Sequence, residues 1–64
     1  MIKMEDVEFI CETINKELTH EEKTEVLNRY NQMEEYDNWS IMVEDIIYEV
    51  LTERRVRFYP EEKN

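Results

Sequence analysis

Residues 36–51, YDNWSIMVEDIIYEVL, constrain the fold more than any other part of this chain. At about 3.6 residues per turn, Trp39, Met42, Val43, Ile46, Ile47, Val50 and Leu51 cover about half of a helix circumference. A strip that wide has to be covered from two sides, so this segment is expected at the centre of the domain. Ile41 and Tyr48 fall nearly opposite the strip, seven residues apart and therefore almost aligned. Glu44, Asp45 and Glu49 flank this second stripe. The helix is expected over 38–54, with Asp37 or Asn38 as its N-cap and Arg54 and Arg55 at the negative end of its dipole.

Two further helices are predicted. Met4, Val7, Ile10, Cys11, Ile14 and Leu18 recur at one-face spacing and predict a helix over 4–18, with Glu5, Asp6 and Glu8 in its first turns. Phe9 departs from that face and points among acids. Thr19-His20-Glu21-Glu22 reads as a capping box opening a helix over 20–35, with Leu18 and Lys23 at the positions of a weak hydrophobic staple. Val26, Leu27, Tyr30 and Met33 form its apolar stripe, and Tyr36-Asp37-Asn38 favours a turn. The tail, 55–64, contains Val56, Arg57, Phe58 and Tyr59 before Pro60 and reads as a short extended segment. Residues 1–3 beside 56–59 would make a minimal two-stranded pairing.

The expected fold is therefore all-α: one domain spanning 1–64, a small three-helix bundle with a short C-terminal tail. The chain has no glycine and no alanine, and one proline. Without glycine, tight primed hairpin turns are disfavoured, which again points to helices. All three of these residue types have GC-rich codons, so their scarcity fits either chance in a short chain or an AT-rich genome of the kind many phages and some low-GC bacteria carry. At 64 residues the core is marginal, and folds this small lean on a staple or a partner. One cysteine, Cys11, excludes an intrachain disulfide, and one histidine, His20, makes a zinc site within one chain implausible. Helix packing or homodimerisation has to supply the stability.

Seventeen acids against eight bases leave a net charge of −9. This argues against direct attraction to nucleic acid or an anionic membrane and suits a basic partner. No run is apolar enough to span a bilayer, and the start lacks a signal-peptide pattern, so a cytoplasmic protein is expected. Catalysis is not expected. Cys11 falls on an apolar face, His20 sits at a polar cap, and there is no glycine for a phosphate-cradling loop. No cofactor or metal is expected.

The expected function is a non-enzymatic module that binds and modulates another protein, with Phe9, Ile41, Tyr48, Phe58 and Tyr59 as contact residues. Aromatic residues in a polar rim dominate interface energetics. Cover of Ile41 and Tyr48 by the chain's own tail is the competing account of the second stripe. An alternative function is an acidic inhibitor that mimics duplex phosphates and occupies a basic cleft, with Glu5, Asp6, Glu8, Glu12, Glu21, Glu22 and Glu25 as its contact face. Small phage-encoded inhibitors often have this kind of composition, though no motif ties the chain to them. A helix-turn-helix regulator is the third reading, weakened because the third helix presents acids and apolar residues rather than Arg, Lys, Asn or Gln.

Overall fold

The computed structural model describes residues 2–34 and 37–54. They form three helices: α1, Met4–Thr13; α2, His20–Asn31; and α3, Trp39–Glu53. The architecture is the expected all-α three-helix bundle. Among the described residues there is no strand. The extended tail, its pairing with the N-terminus, and the contact residues Phe58 and Tyr59 lie outside the described residues.

The wide face of α3 forms the centre of the core. Val43, Ile46, Ile47 and Val50 are buried, and Met42 and Leu51 pack at its margins. Val7, Ile10 and Cys11 cover it from α1; Val26 and Tyr30 cover it from α2. Each such side chain taken out of water contributes on the order of 1.5–3 kcal/mol before the entropy of ordering is charged against it. Trp39 departs from the expected core face and stands 37% exposed. It is the first residue of α3, where the end of a helix overhangs the packed layer.

Two helices end earlier than their periodicity suggests. α1 stops at Thr13, five residues short of Leu18. Asn15 adopts the left-handed conformation, φ 60°. Its N–H donates to the Glu12 carbonyl at 3.2 Å, and the Lys16 N–H donates to the Cys11 carbonyl at 2.9 Å. These two bonds make a Schellman termination, with asparagine taking the place that glycine usually fills. Leu18 is buried all the same, as the residue before the α2 N-cap rather than as the last turn of α1. Its four-residue spacing from Ile14 imitates a helical repeat across a break.

α2 ends at Asn31 instead of near residue 35. Asn28 and Asn31 are weak helix formers in the closing turns. Met33 therefore lies past the helix and is exposed rather than part of the stripe. The start of α3 follows the sequence: Asn38 is the N-cap, its Oδ1 accepting from the Ser40 and Ile41 N–H groups at 3.1 and 3.4 Å.

Two substitutions test this arrangement. Ile46→Asp places an unpaired charge in the centre of the core and should abolish cooperative thermal unfolding, at a cost of several kcal/mol (roughly 4 or more). Asn15→Gly should raise the melting temperature while Asn15→Ala lowers it, each by about 1 kcal/mol in denaturant titrations, because only the side chain's tolerance of positive φ differs. Equal stability of the two variants would contradict the termination described.

Candidate functional site

Three features compete for a functional role: the acidic surface, a groove beside Cys11, and the outer face of α3.

The acidic surface is less uniform than its sequence. Glu22 is the clearest correction: nominated as a contact acid, it is 0% exposed. The capping box forms, with Thr19 Oγ1 accepting from the Glu22 N–H at 3.1 Å and Glu22 Oε1 accepting from the Thr19 N–H at 2.9 Å. The same carboxylate also accepts from Arg54 Nε at 2.6 Å and Arg54 Nη2 at 2.8 Å. Arg54 Nη2 donates as well to the Glu17 carbonyl at 3.1 Å. The hydrogen bonds from Arg54, seconded by those from Thr19, outweigh the effect of burial and hold the Glu22 carboxyl below the usual carboxylate range.

Other nominated acids are also engaged. Asp6 accepts from the Lys3 N–H at 2.8 Å and so closes the start of α1. Glu8 lies 3.5 Å from the Lys23 ammonium. Glu25 pairs with Arg29 at 2.6 Å, and Arg29 reaches across to Glu53 at 2.7 Å and Glu49 at 3.4 Å. Hydrogen bonds to Glu53 and Glu25 push the Arg29 guanidinium further above its already high range, so it is cationic at any working pH. Glu5, Glu12 and Glu21 are exposed, and no hydrogen bond or ion pair of their side chains is observed among the described residues. The mimic reading thus loses Glu22 from its face and finds Asp6, Glu8 and Glu25 already bonded within the domain. The helix-turn-helix reading finds Arg54 committed to Glu22.

A groove of about 370 Å³ lies where α1 meets the loop into α2, lined by Glu8, Cys11, Glu12, Lys16, Leu18 and Lys23 among others. Burial pushes the Cys11 thiol up, with nearby Lys23 only partly opposing it. A thiol held protonated is a poor nucleophile and a poor metal ligand. Cys11 packs in the core as a small apolar group.

The outer face of α3 is different in kind. Ile41 is 55% exposed and Tyr48 43% exposed, two turns apart on the side opposite Val43, Ile46, Ile47 and Val50. Beside Tyr48 runs a shallow groove bounded by Asp45, Glu49, Thr52 and Glu53. Phe9 is also exposed, at 59%, on the face of α1 turned away from Val7, Ile10 and Cys11. Both faces point outward from one shared core on different helices, so Phe9 opens in another direction from the Ile41–Tyr48 stripe. Of Phe9, Ile41 and Tyr48, the expected contact residues that are described, the structure brings together Ile41 and Tyr48.

Sequence reasoning missed the two arginine clusters. Glu25 and Arg29 are four residues apart and legible as a helical pair. The bond between Glu22 and Arg54 spans 32 positions and has no local signature. No helix among the described residues is long and apolar enough to cross a membrane. The chain matches no protein-family model, no curated protein and no solved structure. Its functional reading therefore rests on the site itself.

The buried pair makes a pH prediction. Because the folded Glu22 carboxyl titrates below its unfolded value, its stabilisation is complete above the unfolded glutamate range, about 4.3, and is lost as pH falls through the lower folded value. Glu22→Gln should cost about 2 kcal/mol near neutral pH, since it removes the charged acceptor of the hydrogen bonds from Arg54 Nε and Nη2. The stability gap between wild type and this variant, followed by urea titration, should narrow below about pH 4.3. A gap independent of pH would mean that the carboxylate charge is not what holds the two elements.

Proposed function

We propose that this chain is a non-enzymatic interaction module that binds another protein through the outer face of α3, with Ile41 and Tyr48 as the contact residues. The observation that supports the reading is the double-sided character of α3. One side is committed to the core, yet an aligned pair of large apolar side chains stands exposed on the other. Leaving an isoleucine and a tyrosine in water gains nothing for folding, and a tyrosine in a polar rim is a residue type enriched where interfaces concentrate their energy. The acidic surface, in this view, keeps the module soluble and selects its partner.

Position-specific photocross-linking tests this. A benzoylphenylalanine at position 41 or 48 should give a discrete adduct with another polypeptide in cell extract, while the same group at Glu21 or Glu12 should not. Adducts arising from the Glu12 and Glu21 positions instead would replace this reading with the acidic-face one, and adducts only with the chain itself would make the face a homodimer interface. The double variant Ile41→Gln, Tyr48→Gln should lose the adduct formed from position 45 while keeping its folding stability within about 0.5 kcal/mol, as expected for exposed positions. Unfolding of that variant would show that the stripe is part of the protein's own core.

A further inference from the structure

We propose that the occupant of the α3 outer face is a basic amphipathic helix of a different protein. This deepens the preceding reading and rests on it. Three observations carry the choice of occupant.

The first is spacing. Ile41 and Tyr48 are separated by seven residues of helix, a rise of about 10 Å. A helix laid along α3 presents apolar side chains at i and i+7 with that same rise, so both anchors meet apolar partners. An extended strand advances about 3.3 Å per residue, so two of its side chains about 10 Å apart are three residues apart and point to opposite faces. A strand would satisfy one anchor and miss the other. α3 also offers no sheet edge for a strand to join.

The second is charge. Glu44 flanks the stripe on one side, and Asp45 and Glu49 flank it on the other. α3 carries no lysine or arginine between Trp39 and Glu53. Arg29, from α2, reaches the edge at Glu49 and Glu53, and its charge is shared with Glu25. A partner with apolar anchors between rows of Lys and Arg matches this pattern on both flanks. The groove beside Tyr48, with Asp45 and Glu49 at its border, gives an arginine a place for its stem on the ring and its head among carboxylates.

The third concerns a second copy of this chain. A two-fold interface apposes the same patch from both protomers. Here it would set Glu44, Asp45 and Glu49 against their own equivalents in a chain of net charge −9. Like charges placed together oppose association, and a basic partner removes that conflict.

The test uses the full chain, labelled with ¹⁵N, and three designed helical peptides of about five turns, about 18 residues. One has a leucine stripe flanked by Lys and Arg. The second replaces those bases with Glu. The third has the composition of the first, scrambled so that no apolar face forms. The first should bind with shift changes centred on residues 41–52. It should bind at least tenfold more tightly than either control. Its affinity should fall at least fivefold when salt rises from about 0.01 M to about 0.1 M, as screening shortens from about 30 Å to about 10 Å. It should also fall tenfold with Ile41→Gln, Tyr48→Gln. Equal binding of the acidic or scrambled peptide, shifts confined to another face, absence of binding, or a dimer through α3 by sedimentation equilibrium would each overturn the basic-helix assignment. If cross-linking at positions 41 and 48 persists in that case, the docking face stands with a different occupant; if it is also lost, both readings fall.

Discussion

The buried Glu22 carboxylate ties together three parts of the chain. It caps the first turn of α2 through the Thr19 N–H, takes two hydrogen bonds from Arg54 at the end of α3, and through Arg54 reaches the carbonyl of Glu17 in the loop from α1. The first turn of α2 therefore meets the end of α3. A charge this buried is tolerated because both of its oxygens are bonded. Its partner keeps one edge toward solvent, which lowers the desolvation cost of the pair. Apolar packing supplies the driving force, but it is non-directional. The carboxylate and its donors add direction: they set which turn of α2 lies beside which turn of α3.

Once α3 is pinned in this way, its two sides have separate fates. Val43, Ile46, Ile47 and Val50 face α1 and α2 and are sealed. Ile41 and Tyr48 are carried to the opposite side by the same helical repeat, where neither α1 nor α2 can reach them. The acids divide likewise. Some close helix ends or bridge elements, as Asp6, Glu22 and Glu53 do. Others, such as Asp45, border the exposed stripe. A surface that looks uniformly acidic in composition is thus a set of structural bonds plus a smaller charged rim around an apolar pair.

Much of this was legible locally. The capping box at Thr19 and Glu22 and the Asn38 cap are short-range patterns with one physical solution each, and the three apolar stripes announce three helices. Periodicity failed where the chain breaks and resumes in phase. Ile14 and Leu18 keep helical spacing across the Asn15 turn, so the end of α1 is invisible to a count of apolar positions. Met33 and Trp39 were misplaced for a related reason: each sits at a helix boundary, where angular position no longer implies cover. The candidate stripe at Ile41 and Tyr48 followed from the helical repeat. That Phe9 opens elsewhere did not follow from it, because the relative orientation of two helices is absent from either one.

By itself the sequence determined the helical class, the central place of the segment at 39–53, and the existence of a second apolar stripe along it. These depend on spacing within about 15 residues, which the backbone repeat converts directly into faces. The tertiary structure alone decided that Glu22 is an internal tie instead of a surface acid, that Arg54 and Arg29 are occupied, and which exposed side chains share a face. Those outcomes depend on residues 20 to 32 positions apart being brought within hydrogen-bond reach, and only the packing of the helices supplies that distance.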